Sequence, residues 1–369
     1  MKIKIITCHD VYNYGASLQA YALQTYLIAE GYDVEIIDYK PDYMRVHYKF
    51  WYVPRGSRYY TLAKKNIFFR FLLCCYFAPK RFATYGRKRK FDTFTRQYLH
   101  LTRRYNSYQE LVSDPPAADV YIAGSDQIWN CALPNGKDPA YFLQFGDEDV
   151  RRISYAASFA IPEVPKEYHS QIQTWLSGFS AISVRELTGV SILKGLGFCG
   201  TSVLDPVFLL PVDTWLSFIS RKKNMGQAKY VLVYDLSLSD SRLQAESHRL
   251  AAQHGLQIVS IDAARKCPYA QKNLKDADPF DFVRCIYDAE FVVTDSFHAT
   301  ALSLIFNKKF SVFYGQKNIS RLQDILHYLG VGDQLNSKNP VYEIDWGKVN
   351  SKLSEFRLHS MDFLTKNLY

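Results

Sequence analysis

The order of apolar and polar positions along the chain predicts strands that alternate with helices. An apolar strand at 3–6 precedes helical periodicity over 16–30, and a second apolar strand follows at 34–38. A strand, a crossover helix and a second strand in this order are typical of a parallel sheet. The rhythm resumes further along the chain, with predicted strands at 120–123, 153–156 and 181–184 and a helix at 186–194.

A second series begins after Asp205-Pro206, a dipeptide that interrupts the pattern and marks the predicted boundary between two lobes. The elements predicted in this series are strands at 230–234, 257–260, 291–294 and 310–313, and helices at 240–254, 279–288, 298–306 and 350–368. We therefore predict an α/β fold with two Rossmann-like lobes, at 1–205 and 206–346, followed by a C-terminal helix at 347–369.

The formal net charge of +9 is concentrated in one segment. Residues 43–105 carry 16 Lys and Arg against a single acid, Asp92, whereas the rest of the chain has a balance of −6. The same segment holds 18 of the 57 aromatic residues. Because helical stretches are expected at about 61–78 and 88–99, we predict a basic, aromatic, helical insertion in the first lobe.

Basic side chains interleaved with aromatic rings suit an anionic membrane surface, and we expect 43–105 to make a peripheral contact there. The alternative is an insertion that packs internally and leaves its charges solvated. A nucleic-acid-binding protein would also be basic and aromatic. Here the basic residues avoid the loops that follow the strands, so we expect no nucleic-acid partner.

The remaining composition excludes several classes of protein. The longest apolar stretch, 67–78, is interrupted by Arg70 and is too short to span a bilayer. Seven scattered cysteines form neither a CxxC pair nor a Cys/His cluster, which predicts reduced thiols, no metal site and a cytoplasmic protein. There is no P-loop, nucleophile elbow or GxGxxG motif.

Ligands of open parallel sheets bind beyond the carboxyl ends of the strands, so the residues after each strand are the candidates for chemistry. After the first strand come Asn13, Tyr14, Gly15 and Gln19, at a helix start whose free amides suit an anion or a sugar hydroxyl. A plain strand-to-helix turn is the alternative.

A denser polar loop, Gly124-Ser125-Asp126-Gln127-Ile128-Trp129-Asn130, follows the strand at 120–123. Its carboxylate and amide groups suit sugar hydroxyls, and its indole suits the apolar face of a sugar ring. An Asx turn with Trp129 in the core is the alternative interpretation. The density of polar groups at the end of a strand favours a binding site.

Cationic and titratable groups follow the later strands. Arg185 is suited to bidentate binding of a phosphate or carboxylate, or else it pairs with a neighbouring acid. His298 lies at a helix start near Asp295 and Ser296, where it acts as a general acid with Asp295 as its orienting partner, or merely caps the helix. Arg321 begins a further helix and offers a second cation, or is a solvated residue.

Six motifs in order along the chain resemble the polysaccharide pyruvyl transferase family. They are Asn13-Tyr14-Gly15-Ala16 with Gln19, the loop Gly124-Ser125-Asp126-Gln127-Ile128-Trp129-Asn130, Ser154-Tyr155-Ala156-Ala157-Ser158, Ser183-Val184-Arg185-Glu186, Asp205-Pro206 and Thr294-Asp295-Ser296-Phe297-His298. The resemblance covers most of the chain up to almost residue 300, except 43–105. It implies two lobes arranged as in GT-B glycosyltransferases, with the C-terminal helix crossing back to the first lobe.

The resemblance also implies a reaction, the transfer of pyruvate from phosphoenolpyruvate to two hydroxyls of a saccharide, which gives a ketal. Phosphoenolpyruvate is a co-substrate here, and no bound cofactor is expected. The acceptor we expect is a precursor of a surface polysaccharide such as a capsule, linked to a polyprenyl diphosphate. We place it at the inner face of the cytoplasmic membrane, and the family suggests galactose as the sugar.

Site residues follow from these motifs, with one departure from the family. Many members have an Arg two residues before the His in an R-x-H-G pattern, but here Ser296 stands in place of the Arg and Ala299 in place of the Gly. The predicted catalytic residues are His298, Asp126 and Asp295, and the predicted donor ligands are Arg185, Arg321 and Ser296. The predicted acceptor ligands are Asn13, Tyr14, Gly15, Gln19, Ser125, Gln127, Trp129 and Asn130.

Besides a nucleic-acid-binding protein, which would use 43–105 for phosphates and base stacking, two alternatives to a pyruvyl transferase stay open at this point. The first is a GT-B glycosyltransferase that uses a nucleotide sugar, which would need a nucleoside site in the second lobe. The second is a non-catalytic saccharide-binding relative, because the R-x-H-G pattern is incomplete.

Overall fold

The computed structural model describes residues 1–45, 59–83, 85–220, 229–237, 240–261, 266–315 and 320–369. Its strands in chain order are β1 (Lys2–Ile6), β2 (Asp33–Tyr39), β3 (Leu101–Tyr105), β4 (Val120–Ala123), β5 (Arg151–Ser154), β6 (Ser183–Val184), β7 (Thr201–Ser202), β8 (Tyr230–Tyr234), β9 (Gln257–Ser260), β10 (Lys272–Asn273), β11 (Phe291–Thr294) and β12 (Lys309–Val312).

These strands form two five-stranded sheets, in the orders β3-β2-β1-β4-β5 and β10-β9-β8-β11-β12. Every pairing within the two sheets is parallel. In each sheet the first strand of the series lies at the centre and the chain then turns back to the other side, which is the Rossmann-like order. The prediction of an α/β fold with two Rossmann-like lobes is therefore confirmed, and Asp205 lies between the two sheets in sequence.

The helices surround and connect these strands. In chain order they are α1 (Tyr14–Ala29), α2 (Asp42–Arg45), α3 (Tyr60–Lys65), α4 (Ile67–Ala83), α5 (Tyr85–Tyr98), α6 (Tyr108–Ser113), α7 (His169–Leu176), α8 (Leu187–Gly195), α9 (Val212–Ile219), α10 (Ser241–His254), α11 (Pro279–Asp288), α12 (Phe297–Ile305), α13 (Ser320–Leu329) and α14 (Trp346–Asn367). Local chemistry sets several of their ends. Asp278 caps α11 ahead of a Pro at its first position, and Gly255 ends α10 in a left-handed conformation.

Two strands differ from the prediction. β3 pairs with β2, so the last five residues of the predicted insertion 43–105 are an edge strand of the first sheet. Its sequence lacks an apolar pattern because two successive arginines, Arg103 and Arg104, are exposed at the sheet's edge. The strand predicted at 181–184 is reduced to β6, which pairs with β7 in a separate two-stranded sheet.

α1 lies between the two lobes, and 13 of its 16 residues are buried. Tyr14 stacks on Phe282 of α11 with ring centroids 4.6 Å apart. About two turns later, Tyr21 meets the edge of Phe280 at 5.4 Å. The two lobes thus share an apolar core at this helix, which fixes the start of α1 against the second lobe.

The insertion contributes to the same core with one helix. Phe91 and Phe94 of α5 are each 2% exposed, and Phe94 contacts Phe280 at 5.0 Å. Residues 46–58 of the predicted insertion lie outside the described residues. None of the helices among the described residues combines the length and the hydropathy needed to cross a membrane.

α14 runs from the second lobe to the first. Near its start, Lys352 donates to the backbone carbonyl of Tyr328 in α13. Near its end, the hydroxyl of Ser360 accepts from the backbone N–H of Leu204 at 2.9 Å. This helix therefore spans the junction that α1 also crosses.

Candidate active site

Five side chains from both lobes meet at the start of α12. Asp126 follows β4, Arg185 follows β6 and Asp205 follows β7, while His298 and Arg321 lie in the first turns of α12 and α13. Asp126 is half-buried, and the other four are buried. The structure therefore brings together four predicted site residues and one, Asp205, that belonged to a family motif and to the predicted lobe boundary but not to the predicted site.

Arg185 is the centre of a buried ion-pair network. Its Nη1 donates to Oδ2 of Asp205, and its Nη2 lies 3.7 Å from Oδ1 of Asp126. Burial alone would raise the pKa of Asp205, but the charges of Arg185 and His298 hold it well below its usual range. Burial likewise acts to lower the pKa of Arg185, and the attraction of Asp205 and Asp126 raises it instead. Both partners are therefore ionised at neutral pH.

His298 approaches the same carboxylate from the second lobe. Its Nε2 lies 3.6 Å from Oδ2 of Asp205 and has no hydrogen-bond partner among the described residues. The other face of the ring touches the start of α1, where a Cβ added to Gly15 would be 2.0 Å from Nδ1 of His298. The imidazole is thus enclosed between the lobes, with its buried Nε2 beside the carboxylate of Asp205.

The prediction that Asp295 orients His298 is wrong. The two carboxylate oxygens of Asp295 accept from the backbone N–H groups of Leu236 and Ser237, at 2.8 and 3.0 Å. Burial, with the charge of Asp235 adding to it, raises the pKa of Asp295 to about 6. Asp295 therefore stabilises the loop after β8. The carboxylate beside His298 is that of Asp205 instead.

Ser296 caps α12, which agrees with the alternative considered for it. Its hydroxyl accepts from the backbone N–H of Ala299 at 3.4 Å, and the residue is 5% exposed. In the position where many family members have an arginine, this chain therefore has a helix cap.

Arg321 is a buried cation that forms no ion pair with the described residues. It is 6% exposed, and its Nε has no hydrogen-bond partner among them. Burial lowers the pKa of Arg321 and the charge of Arg185 lowers it further, although Glu186 and Asp126 attract it from a distance. A desolvated guanidinium without a close carboxylate is costly, and an anionic ligand would compensate it.

Both arginines lie near the same aromatic ring. The guanidinium carbons of Arg185 and Arg321 lie 4.5 and 6.0 Å from the ring centroid of Phe297. A cavity of about 420 Å³ opens beside all three residues, with further walls from α8, α13 and α14. This volume is typical of small-molecule sites. The arrangement can hold an anion between two cations next to His298.

The loop after β4 presents two half-buried polar groups. Asp126 has a left-handed backbone with φ +76°, a strained conformation that is enriched at functional sites. The hydroxyl of Ser125 donates to Asp205 at 3.1 Å, and Asn130 donates to the side-chain oxygen of Gln127 at 2.9 Å. Ser125 and Asn130 are buried, so they position Asp126 and Gln127 rather than face a ligand.

Three predicted acceptor ligands have no exposed surface, since Tyr14, Gln19 and Trp129 are each 0% exposed. Tyr14 packs between the lobes as described, and Gln19 donates to the hydroxyl of Thr7 at 2.9 Å. The Trp129 ring stacks on Phe142 with centroids 5.4 Å apart. The predictions that these three residues grip a sugar are wrong, and for Trp129 the core alternative holds. Of the predicted acceptor set, Asn13 and Gln127 remain partly exposed.

Replacing Trp129 should therefore affect stability rather than binding. Trp129→Ala should lower the free energy of unfolding by about 3–5 kcal/mol, because it leaves a cavity in the core. Trp129→Phe should keep acceptor KM close to that of the wild type. Denaturant unfolding and steady-state kinetics measure the two effects. A large rise of acceptor KM in Trp129→Phe with unchanged stability would restore Trp129 to the binding site.

Gly15 controls the position of His298 through the space it leaves. In Gly15→Ala the new methyl group must displace the imidazole, because 2.0 Å is far inside any normal contact. Because the contact is buried between the lobes, this overpacking should cost about 1–3 kcal/mol of stability, and kcat should fall at least tenfold. Wild-type kcat in a folded Gly15→Ala protein would show that His298 does not need this position.

Asp205 is the functional residue that the sequence interpretation missed. The sequence indicated a functional role for Asp205 only through its place in one of the six motifs. An Asp before a Pro is equally typical of a turn. A second such residue is Glu186, whose Oε1 accepts from the hydroxyl of Ser158 at 2.9 Å and so ties two motifs together. Within the described part of the chain, no group of three or more His, Cys, Asp or Glu is placed to hold a metal ion.

Several solved structures of sugar-nucleotide enzymes are similar to this chain. They include the UDP-GlcNAc 2-epimerase of Methanocaldococcus jannaschii (12% identity over 96% of this chain and 92% of that chain, TM-score 0.48), the UDP-GlcNAc 2-epimerase of Neisseria meningitidis bound to UDP-GlcNAc (8%, 98% and 94%, 0.47) and an E. coli heptosyltransferase with ADP-2-deoxy-2-fluoro heptose (12%, 86% and 89%, 0.38). At these TM-scores the likeness adds nothing to the sheet topology.

Comparing the amino-acid sequence with known proteins and protein families is more informative than these structural likenesses. None of the curated proteins matches the chain. The family model described as polysaccharide pyruvyl transferase matches residues 13–316. The matched span contains all six motifs and every residue of the cluster except Arg321.

Proposed function

Because this chain belongs to the polysaccharide pyruvyl transferase family, we propose that it transfers pyruvate from phosphoenolpyruvate to two hydroxyls of a saccharide. The products are a pyruvate ketal on the sugar and inorganic phosphate. The observation that carries the proposal is the buried pair Arg185 and Arg321 beside His298.

The two arginines match the two anionic groups of phosphoenolpyruvate. One guanidinium would take the carboxylate and the other the phosphate, each through charge-assisted hydrogen bonds that the desolvated site strengthens. Arg321 supports this assignment because it is buried, is next to a second guanidinium and has no ion-pair partner among the described residues. A ligand with two anionic groups would neutralise Arg321 and offset the repulsion between the two guanidinium groups.

The reaction needs a proton on the methylene carbon of the donor. In our proposal His298 delivers that proton from Nε2 as a sugar hydroxyl attacks the adjacent carbon, which gives a tetrahedral phosphate adduct. Phosphate then leaves, and the second hydroxyl closes the ketal and releases its proton. Asp205, ionised by Arg185, lies 3.6 Å from Nε2 and holds the ring in place. Positioning and charge stabilisation supply most of the rate.

The acceptor would bind at the loop after β4. Asp126 is partly exposed and within 3.7 Å of Arg185, so a hydroxyl bound by its carboxylate would lie next to the donor site. Asp126 then positions the hydroxyl and accepts its proton, while Gln127 and Asn13 bind neighbouring groups of the sugar. We propose a lipid-linked precursor of a surface polysaccharide as the acceptor, with galactose as the first sugar to test.

A nucleotide-sugar donor fits the second lobe less well. The cavity at the carboxyl ends of β8, β11 and β12 is lined by Asp240 and Asp295. Its one arginine, Arg242, is held by Asp240 through bonds of 3.0 and 2.6 Å. The arginine of this cavity is therefore already paired, whereas Arg321 in the cavity beside Arg185 forms no ion pair with the described residues.

Ligand-induced stabilisation tests the donor. Phosphoenolpyruvate at about 100 times its Kd should stabilise the native protein by roughly 2.7 kcal/mol, which is a rise of several degrees in melting temperature. Pyruvate and phosphate should each stabilise it less, since each has one of the two anionic groups. Stabilisation by UDP- or GDP-sugars without any effect of phosphoenolpyruvate would favour the glycosyltransferase instead.

A further inference from the structure

One helix of the insertion turns an apolar face to solvent. Ile67, Phe68, Leu72, Cys75 and Tyr76 are spaced so that they lie along one side of α4, and we call them the outer face of α4. Ile67 is 82% exposed, Phe68 67%, Leu72 49% and Tyr76 77%, and Cys75 is also exposed. Exposed aromatic and aliphatic side chains in a continuous row are unusual on a protein that is alone in water.

The orientation of α4 is set by its opposite side. Cys74 is fully buried, and Leu73 and Phe77 are half-buried. The helix is therefore packed against the protein by one apolar side while it presents another outwards. This differs from a surface helix of a soluble domain, which turns charged residues to solvent.

The charge around the outer face is positive. Lys64 and Lys65, at the end of the preceding helix α3, are exposed, and residues 43–105 contain one acid, Asp92, against 16 basic residues. A second copy of the chain would bring like charges together at this face. An anionic lipid surface instead accepts both the apolar side chains and the cations around them.

We propose that the outer face of α4 lies in the interface of an anionic lipid membrane, with the helix parallel to the surface. Ile67, Phe68, Leu72 and Tyr76 enter the region between headgroups and acyl chains, and Lys64 and Lys65 contact lipid phosphates. The inference rests on this surface alone and stands or falls independently of the pyruvyl transfer reaction.

The bound helix α4 is connected to the candidate active site through the next helix, α5. α5 follows α4 directly, and its Phe91 contacts Tyr14 at the start of α1 at 5.2 Å. Arg87 of α5 also lies over the Tyr14 ring, at 4.9 Å. A membrane contact at α4 would therefore be connected through α5 to the start of α1, where Gly15 lies against His298.

Vesicle co-sedimentation of the full chain tests the proposal. The wild type should bind vesicles of phosphatidylcholine that contain phosphatidylglycerol and should bind pure phosphatidylcholine much less. Leu72→Asp should weaken binding at least tenfold, because it removes one inserted side chain and adds a repelled charge. Leu358→Asp is the matched control, since Leu358 is 65% exposed on the distant helix α14. It should bind like the wild type.

A reporter at Cys75 tests the orientation of the helix. Cys75 and Cys199 are the exposed cysteines, so a polarity-sensitive fluorophore attached to Cys199→Ser protein labels Cys75. Its emission should shift to the blue with phosphatidylglycerol vesicles and should be quenched by labelled lipids. The charge-reversal pair Lys64→Glu and Lys65→Glu should reduce the shift without altering the melting temperature.

Three results would overturn the proposal. The first is wild-type binding that does not depend on phosphatidylglycerol, and the second is equal binding by Leu72→Asp and Leu358→Asp. The third is a lipid-free dimer that Leu72→Asp converts to a monomer while the wild type ignores vesicles. That last result would assign the outer face of α4 to a second copy of this chain.

Discussion

Phosphate release from phosphoenolpyruvate should fall by about 10²–10⁴-fold when His298 is replaced by glutamine, the range typical of a positioned general acid. The physical reason is that His298 lies in the ion-pair cluster, with Nε2 3.6 Å from Asp205, and directly follows Phe297, which lines the cavity together with Arg185 and Arg321. Glutamine fills similar space and cannot exchange a proton at neutral pH. Glutamine also keeps a polar side chain opposite the buried Asp205, so we expect the variant to fold, and thermal unfolding measures any loss of stability separately from the loss of turnover.

The matched control for His298 is His327→Gln. His327 is exposed on α13 and lies outside the cluster, so its replacement should leave turnover within a factor of about two. A coupled assay of released phosphate measures both variants, and a donor-binding measurement separates the chemical step from affinity. Wild-type turnover in folded His298→Gln would remove His298 from the mechanism, and Asp126 would then be the next proton carrier to test.

Replacing Arg321 with methionine should change stability and donor affinity in opposite directions. The variant loses a buried cation that has no ion-pair partner among the described residues, so the ligand-free protein should be as stable as the wild type or more stable. Affinity for phosphoenolpyruvate should fall by roughly 10–100-fold for each charge-assisted hydrogen bond lost. Thermal unfolding without ligand and titration with phosphoenolpyruvate measure the two effects.

Arg185→Met provides the contrast, because Arg185 does have a buried partner. Its removal leaves the carboxylate of Asp205 unpaired, which should cost about 3–5 kcal/mol of stability. If Arg321→Met were instead the destabilised variant and bound phosphoenolpyruvate normally, Arg321 would be a structural residue and the donor site would lie elsewhere.

Part of the site could be predicted because ligands of parallel sheets bind beyond the carboxyl ends of the strands. Arg185 and His298 follow β6 and β11, and parallel strands present their carboxyl ends at one edge, so chemistry was expected at those positions. The sequence pattern also placed Arg321 at a helix start. Position along the chain was sufficient for these three residues, since each lies within two residues of a predicted strand end or helix start.

Partnerships between side chains could not be predicted in the same way. Asp295 is three residues from His298, yet Ser296 caps the helix and Asp295 turns to the loop after β8. Asp205 is 93 residues away in sequence and reaches the imidazole only because the two lobes share a core. Which carboxylate faces a histidine is decided by tertiary packing, and one sequence does not contain that information.

The other differences between prediction and structure have separate causes. Trp129 lies in a polar loop, where an indole suits a sugar and a core equally well, and the stacking on Phe142 decides for the core. The edge strand β3 was missed because its exposed arginines carry no apolar alternation. In the insertion, composition suggested a membrane contact for 43–105 as a whole, whereas the structure separates an inward α5 from an outward α4.

The most direct test of pyruvyl transfer is the mass of the acceptor. Purified protein is incubated with phosphoenolpyruvate and a panel of synthetic and lipid-linked saccharides, with galactose-containing members included, and the products are weighed by mass spectrometry. We predict a product whose mass exceeds that of its acceptor by the mass of pyruvic acid minus one water. It should form in equal amount with phosphate, and His298→Gln should not form it. Transfer of a sugar from a nucleotide sugar, with no such product from phosphoenolpyruvate, would contradict this prediction.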